Sequence, residues 1–190
     1  MRLTRPIVAL LLFALSAGAL WSREVPVYKG RVNDYAGRLS TDAEMILEYI
    51  SFRHQQSYSD RVVLLTIDSL KGDPAEEFCI RALKQWELWG TEEQPVRSVL
   101  VLLASQEKLV RIQTSPGLAQ DLHPNVSAAL LSDTIFPLLQ KGQFSVGLYV
   151  AMEAITDHLA AIHEKRKKLE KETGPAESST NEEQKTDDGK

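Results

Sequence analysis

Four side chains could take part in phosphoryl or cation chemistry: Asp34, Asp68, Ser69 and Arg111. Asp68 and Ser69 follow the apolar run Arg61–Ile67, and ligands of open α/β sheets gather outside the carboxyl ends of strands. Arg111 stands in an alternating stretch, and Asp34 precedes the glycine of Val32-Asn33-Asp34-Tyr35-Ala36-Gly37. A phosphatase needs an activated nucleophile or a metal-held water, together with a cation facing the phosphoryl group. No DxDxT, HxH or glycine-rich phosphate loop accompanies these residues. Asp68 also opens the turn Asp68–Gly72, where aspartate is ordinary, and an arginine on a half-exposed strand needs no ligand.

The elements that must hold these residues can be read from periodicity. Val99–Leu103 is an unbroken apolar run, too short for a helix and suited to a strand covered on both faces. Ser105–Lys108 turns the chain, and Leu109–Thr114 alternates, with Val110, Ile112 and Thr114 on one side and Leu109, Arg111 and Gln113 on the other. Arg61–Ile67 is a second buried strand. Between the two buried strands, Asp73-Pro74 opens a helix with Phe78, Cys79, Ala82, Leu83 and Trp86 inward. A strand, a helix and a strand make a parallel, right-handed crossover. The expected fold is therefore α/β: a mixed sheet with a parallel βαβ crossover and an antiparallel edge hairpin.

Before the sheet, a capping box at Thr41-Asp42-Ala43-Glu44 starts a helix to about Gln56, burying Ala43, Ile46, Leu47 and Ile50 and leaving His54 at the surface or an edge. After it, a helix from Pro124 should end or kink at Pro137. A last helix carries Phe144, Leu148, Ala151, Ile155 and Leu159 to about Ile162.

Arg2 and Arg5, the apolar run Ile7–Leu15 and the small residues Ser16–Ala19 have the three parts of a cleaved export signal. The organisation expected is a signal peptide over 1–22, an extended lead-in over 23–31, a domain over 32–162 and a disordered charged tail over 163–190. This places the chain in the periplasm or outside the cell, with an uncleaved N-terminal anchor as the alternative. Cys79, the single cysteine, has no disulfide partner and reads as a small buried hydrophobe. A net charge of −4 argues against nucleic-acid binding.

Val-Asn-Asp-Tyr-Ala-Gly, the strand and turn Val62–Gly72, a helix ending in Trp86, Val99–Leu103, Val110-Arg111-Ile112 with Gly117-Leu118, and Ile135-Phe136-Pro137-Leu138-Leu139 with Phe144 together resemble the TPM domain family over Val32 to about His158. The resemblance implies a three-layer α/β/α sandwich outside the cytoplasm, often beside membrane proteins. It also implies links to photosystem repair, receptor regulation, phosphatase activity and calcium binding. By the same match, Asp34 corresponds to the family's V-x-D aspartate, Arg111 to its core-strand arginine, and Gly117 to the second glycine of a G-x-G whose first is Ser115. Asn125 falls, with a one-residue slip, where the family has an L-x-D aspartate, and Val96-Arg97-Ser98 replaces D-N-G.

The resemblance makes Asp34, Arg111 and Gly117 candidate ligand-binding residues, to which Asp68 is added by its place after a strand, and it makes Asp34 and Asn125 the candidate metal ligands. No cofactor is expected; calcium, which wants six to eight oxygen ligands, is the alternative, weakened by a lost carboxylate and by the positive charge of Arg97. The expected function is an accessory or binding domain, monomeric, whose partner is a membrane or envelope protein; a metal-dependent phosphatase of undefined substrate is the alternative. Mass spectrometry of the exported protein should show an N-terminus between Leu20 and Glu24, whereas peptides from Met1–Leu15 in the mature pool would favour an anchor.

Overall fold

A computed structural model describes residues 22–132 and 135–173. The signal expected over 1–22 lies outside the described residues apart from Ser22, as does the charged stretch from 174 onward.

The two apolar runs form the centre of a four-stranded sheet. β1 (Val32–Asp34), β2 (Arg61–Ile67), β3 (Ser98–Ala104) and β4 (Leu109–Thr114) lie in the order β1-β2-β3-β4. β1, β2 and β3 are mutually parallel and β4 returns antiparallel to β3, as the crossover and hairpin require. The helices are α1 (Thr41–Tyr58), α2 (Ala75–Gln85), α3 (Pro124–Ser132), α4 (Ile135–Gln140) and α5 (Phe144–Thr173).

Alternation along the strands splits the core in two. Val62, Leu64, Val99, Val101, Leu103 and Ile112 pack with α1, α3, α4 and α5. Val63, Leu65, Ile67, Leu100 and Leu102 pack with α2 on the opposite face, giving the three-layer sandwich. Cys79 is fully buried there, and burial pushes its thiol up to about 12, so it stays protonated and inert. The lead-in is anchored to this layer: Val25 is buried, and Trp86 Nε1 donates to the Pro26 carbonyl at 2.9 Å.

Several element ends differ from expectation. The cap of α1 is Ser40, whose Oγ accepts from the Ala43 amide at 3.2 Å, one residue before the expected Thr41. Asp73 does not cap α2; its carboxylate is drawn to Arg81 and to the Arg23 amide instead. The helix from Pro124 stops at Ser132, and Pro137 sits in the first turn of α4, where a missing N–H costs nothing. In α1, His54 is buried rather than peripheral, while Ile46 is exposed. The final helix runs past Ile162 to Thr173, for a reason that lies in the polar cluster at that end.

Leu102 has no exposed surface and sits between β2 and β4. Leu102→Ala should cost about 2–5 kcal/mol in urea unfolding, from lost transfer energy plus a cavity; a near-neutral value would contradict the layering.

Candidate functional site

The parallel strands give the sheet two ends, and the candidate residues divide between them. At the carboxyl end, Asp34 closes the turn after β1. Its Oδ2 accepts the Leu39 amide at 2.9 Å and its Oδ1 the Arg38 amide at 3.2 Å and the Thr66 hydroxyl. Asp68 leaves β2 exposed, with Arg38 Nη2 3.5 Å from its Oδ1. Next to it, Ser69 Oγ donates to Glu107 at 2.6 Å, and the same carboxylate accepts the Leu70 amide at 2.9 Å. Glu107, in the β3–β4 turn, thereby ties that turn to the one that follows β2.

Arg111 lies elsewhere. Its strand alternation turns it to the α2 side, where Nη2 donates to Glu76 at 2.6 Å. Gly117 is at the amino end of the sheet, in the short 3-10 turn Pro116–Leu118. A Cβ there would stand 2.6 Å from the Val96 carbonyl oxygen, so the close approach of the two backbones requires glycine. Asn125 is exposed in the first turn of α3. The structure therefore groups Asp34 with Asp68 and leaves Arg111, Gly117 and Asn125 apart from them. The pair proposed as metal ligands is separated by the length of the sheet: Asp34 ends β1, whereas Asn125 follows Asp121, which is tied to the residue preceding β3.

The densest polar cluster is at the amino end, and it was only partly legible in the sequence. Asp60 immediately precedes β2 and is completely buried; Arg97 immediately precedes β3. Arg97 Nε donates to Asp60 Oδ1 at 2.6 Å, Nη2 to Asp121 Oδ2 at 2.9 Å, and Nη1 to the Gly117 carbonyl at 3.1 Å. Asp121 is gripped a second time by Arg166, bidentately, with Nη1 at 2.8 Å from Oδ2. His163 Nε2 lies 2.8 Å and His54 Nε2 3.4 Å from Asp60 Oδ2. Tyr58 stacks on the His163 ring with centroids 4.8 Å apart.

Burial alone would raise the Asp60 carboxyl, but hydrogen bonds from His54, Arg97 and His163 outweigh it and hold the group at about 2. Asp121 is lowered too: burial opposes ionisation, and Arg166 and Arg97 overcome it. This explains the long α5. Beyond Leu159 and Ile162 the helix has little apolar surface to bury, but His163 and Arg166 continue its inward stripe with polar groups that Asp60 and Asp121 hold.

Chemically the cluster is closed. Each carboxylate faces cations supplied by the chain itself, and the guanidinium of Arg97 occupies the space between Asp60, Asp121 and the Gly117 carbonyl. His54 and His163 meet at Asp60 Oδ2, but Arg97 takes the other oxygen of that carboxylate, and among the described residues no group of three or more His, Cys, Asp or Glu side chains is arranged to hold a metal ion. At the other end, both oxygens of Asp34 are already accepting. Calcium wants six to eight oxygen ligands, and Asp34, Asp60 and Asp121 each already serve partners within the chain.

Removing one member leaves its buried partner uncompensated, so Arg97→Ala should cost about 3 kcal/mol or more. Because the folded Asp60 pKa lies below its unfolded value, its contribution is present above about pH 4 and disappears as pH falls towards 2. Asp60→Asn should flatten that acid limb of a stability-versus-pH curve measured by urea unfolding; an unchanged acid limb would contradict the assignment.

Comparison with known proteins agrees with this architecture. The sequence profile of the TPM domain matches residues 32–158. The N-terminal domain of a protein from P. gingivalis, solved by solution NMR, superposes with a TM-score of 0.65 at 25% identity, over 70% of this chain and 83% of that one. The N-terminal domain of the cg2496 protein from Corynebacterium glutamicum gives 0.53 at 16% identity, over 87% and 96%, a likeness of fold alone. No curated protein matches the sequence. The profile match ends at His158, before His163 and Arg166, so two side chains of the ionic clamp lie beyond the matched segment. With that match spanning well over half its length, the chain belongs to the TPM domain family.

Proposed function

We propose that the chain is an extracytoplasmic accessory domain that binds a membrane or envelope protein. The observation that carries this is the outward face of α1. Met45, Tyr49 and Phe52 follow one another at helical spacing, with Ile46 beside them, and are 59%, 62%, 45% and 48% exposed. A packed helix ordinarily turns polar residues outward, and apolar groups collected on one exposed face mark an interaction surface. The export part of the reading rests on the basic, apolar and small residues of the N-terminus. The engaged state of Asp34, Arg97 and Arg111 supports binding over chemistry, since each is already held by partners within the chain.

The second reading, a metal-dependent phosphatase, draws on one feature: Asp34 and Asp68 stand at strand carboxyl ends with Arg38 between them.

A photo-reactive phenylalanine analogue at Tyr49 should give a discrete adduct with an envelope membrane protein in cells. The same group at Glu77, exposed on α2, should not. Equal labelling from both positions would count against the α1 face. Hydrolysis of p-nitrophenyl phosphate by the purified chain should stay at background, and turnover that Asp34→Asn abolishes would establish the second reading instead.

A further inference from the structure

The sheet has two edges, and they are finished differently. β1 is three residues long, and its outward Val32 amide is taken by Glu48 at 2.9 Å. β4 is six residues long, contains no proline and pairs with β3 in unbroken register.

The ladder fixes which backbone groups of β4 face outward. The Ser115 amide donates to the Ser98 carbonyl and the Arg61 amide to the Arg97 carbonyl. Even-numbered residues of β3 therefore point to β4, so Leu109, Arg111 and Gln113 are the hydrogen-bonded partners. The N–H and C=O groups of Val110, Ile112 and Thr114 then point away from the sheet. Among the described residues their one outward contact is Gln113 Nε2 with the Thr114 carbonyl, at 3.2 Å, which leaves that oxygen a second lone pair. An edge of this kind is a template for another strand unless something guards it. A charged side chain can do so, but the Arg111 guanidinium is held by Glu76 on α2.

We infer that β4 pairs with β4 of a second copy of this chain, antiparallel about a two-fold axis at Ile112. The sequence LVRIQT is complementary to itself in this register. Val110 faces Thr114 of the second copy, Ile112 faces Ile112, and all six outward groups on each strand are satisfied. On the α2 side Arg111 faces Gln113 and Gln113 faces Arg111, so no like charges oppose. Val110 and Ile112 of both copies stay on the α3–α5 face. The product is an eight-stranded sheet running through both subunits, an isologous contact separate from the α1 face.

Sedimentation of the purified chain over a concentration series tests this. A monomer–dimer equilibrium is expected. Gln113→Arg, which sets two pairs of like charges across the axis, should weaken it about tenfold, and Gln113→Glu should tighten it. Val110→Pro removes an outward N–H that β3 does not use, so it should abolish the dimer and leave the circular dichroism spectrum unchanged. A chain monomeric to about 1 mM would overturn the inference, as would a dimer indifferent to all three substitutions. Slow exchange of the Val110 and Ile112 amides in such a monomer would mean that residues 1–21 or 174–190 cover the edge, and would overturn it equally.

Discussion

A single guanidinium closes the amino end of this domain. Two buried or nearly buried carboxylates, Asp60 and Asp121, could not remain ionised there without cations, and Arg97 reaches both and the Gly117 carbonyl at once. The starts of β2 and β3, the turn after β4 and the last third of α5 all depend on it. Ion pairs of this sort add little net stability against an apolar alternative, but breaking one is costly. The clamp therefore fixes an arrangement more than it deepens a free-energy well: it determines where a helix whose final turns are almost wholly polar must lie.

The consequence for function is that the chain carries its own cations where an α/β domain might recruit one. At the opposite end Asp34 performs a comparable local task, holding the turn between β1 and α1 through two amides and a hydroxyl. On α1, by contrast, Met45, Ile46, Tyr49 and Phe52 collect on one exposed face, which is the feature the proposed binding role draws on. Fold alone does not decide such a matter, since one architecture hosts many activities.

How much of this the sequence disclosed follows from the range of the forces involved. Strand order and layering were legible because Arg61–Ile67 and Val99–Leu103 are apolar without interruption and Leu109–Thr114 alternates. Burial on one or two faces is a local, periodic demand. The clamp was not legible, because Asp60, Arg97, Asp121 and His163 are single residues at element ends, up to 103 positions apart. Arg97 could be flagged as an unexpected charge but not given its partners. A usable signal was the placement of His163 and Arg166, which extend the stripe through Ile155 and Leu159 at helical spacing. A composition-based reading assigns that segment to a tail, since it weighs apolar content and not paired charge. Ile46 and His54 were exchanged for a related reason: a hydrophobic residue on a helix is expected inward and a histidine outward, until an aspartate is found waiting inside.

The central claim is that an internal cation, Arg97, holds the carboxylates at this end and leaves none for a divalent ion. A ¹⁵N NMR titration of the purified chain with calcium tests it most directly. The account predicts that the amides of Asp34, Asp60, Gly117 and Asp121 do not move in a saturable way below millimolar calcium. Saturation at micromolar calcium, centred on those amides, would contradict it.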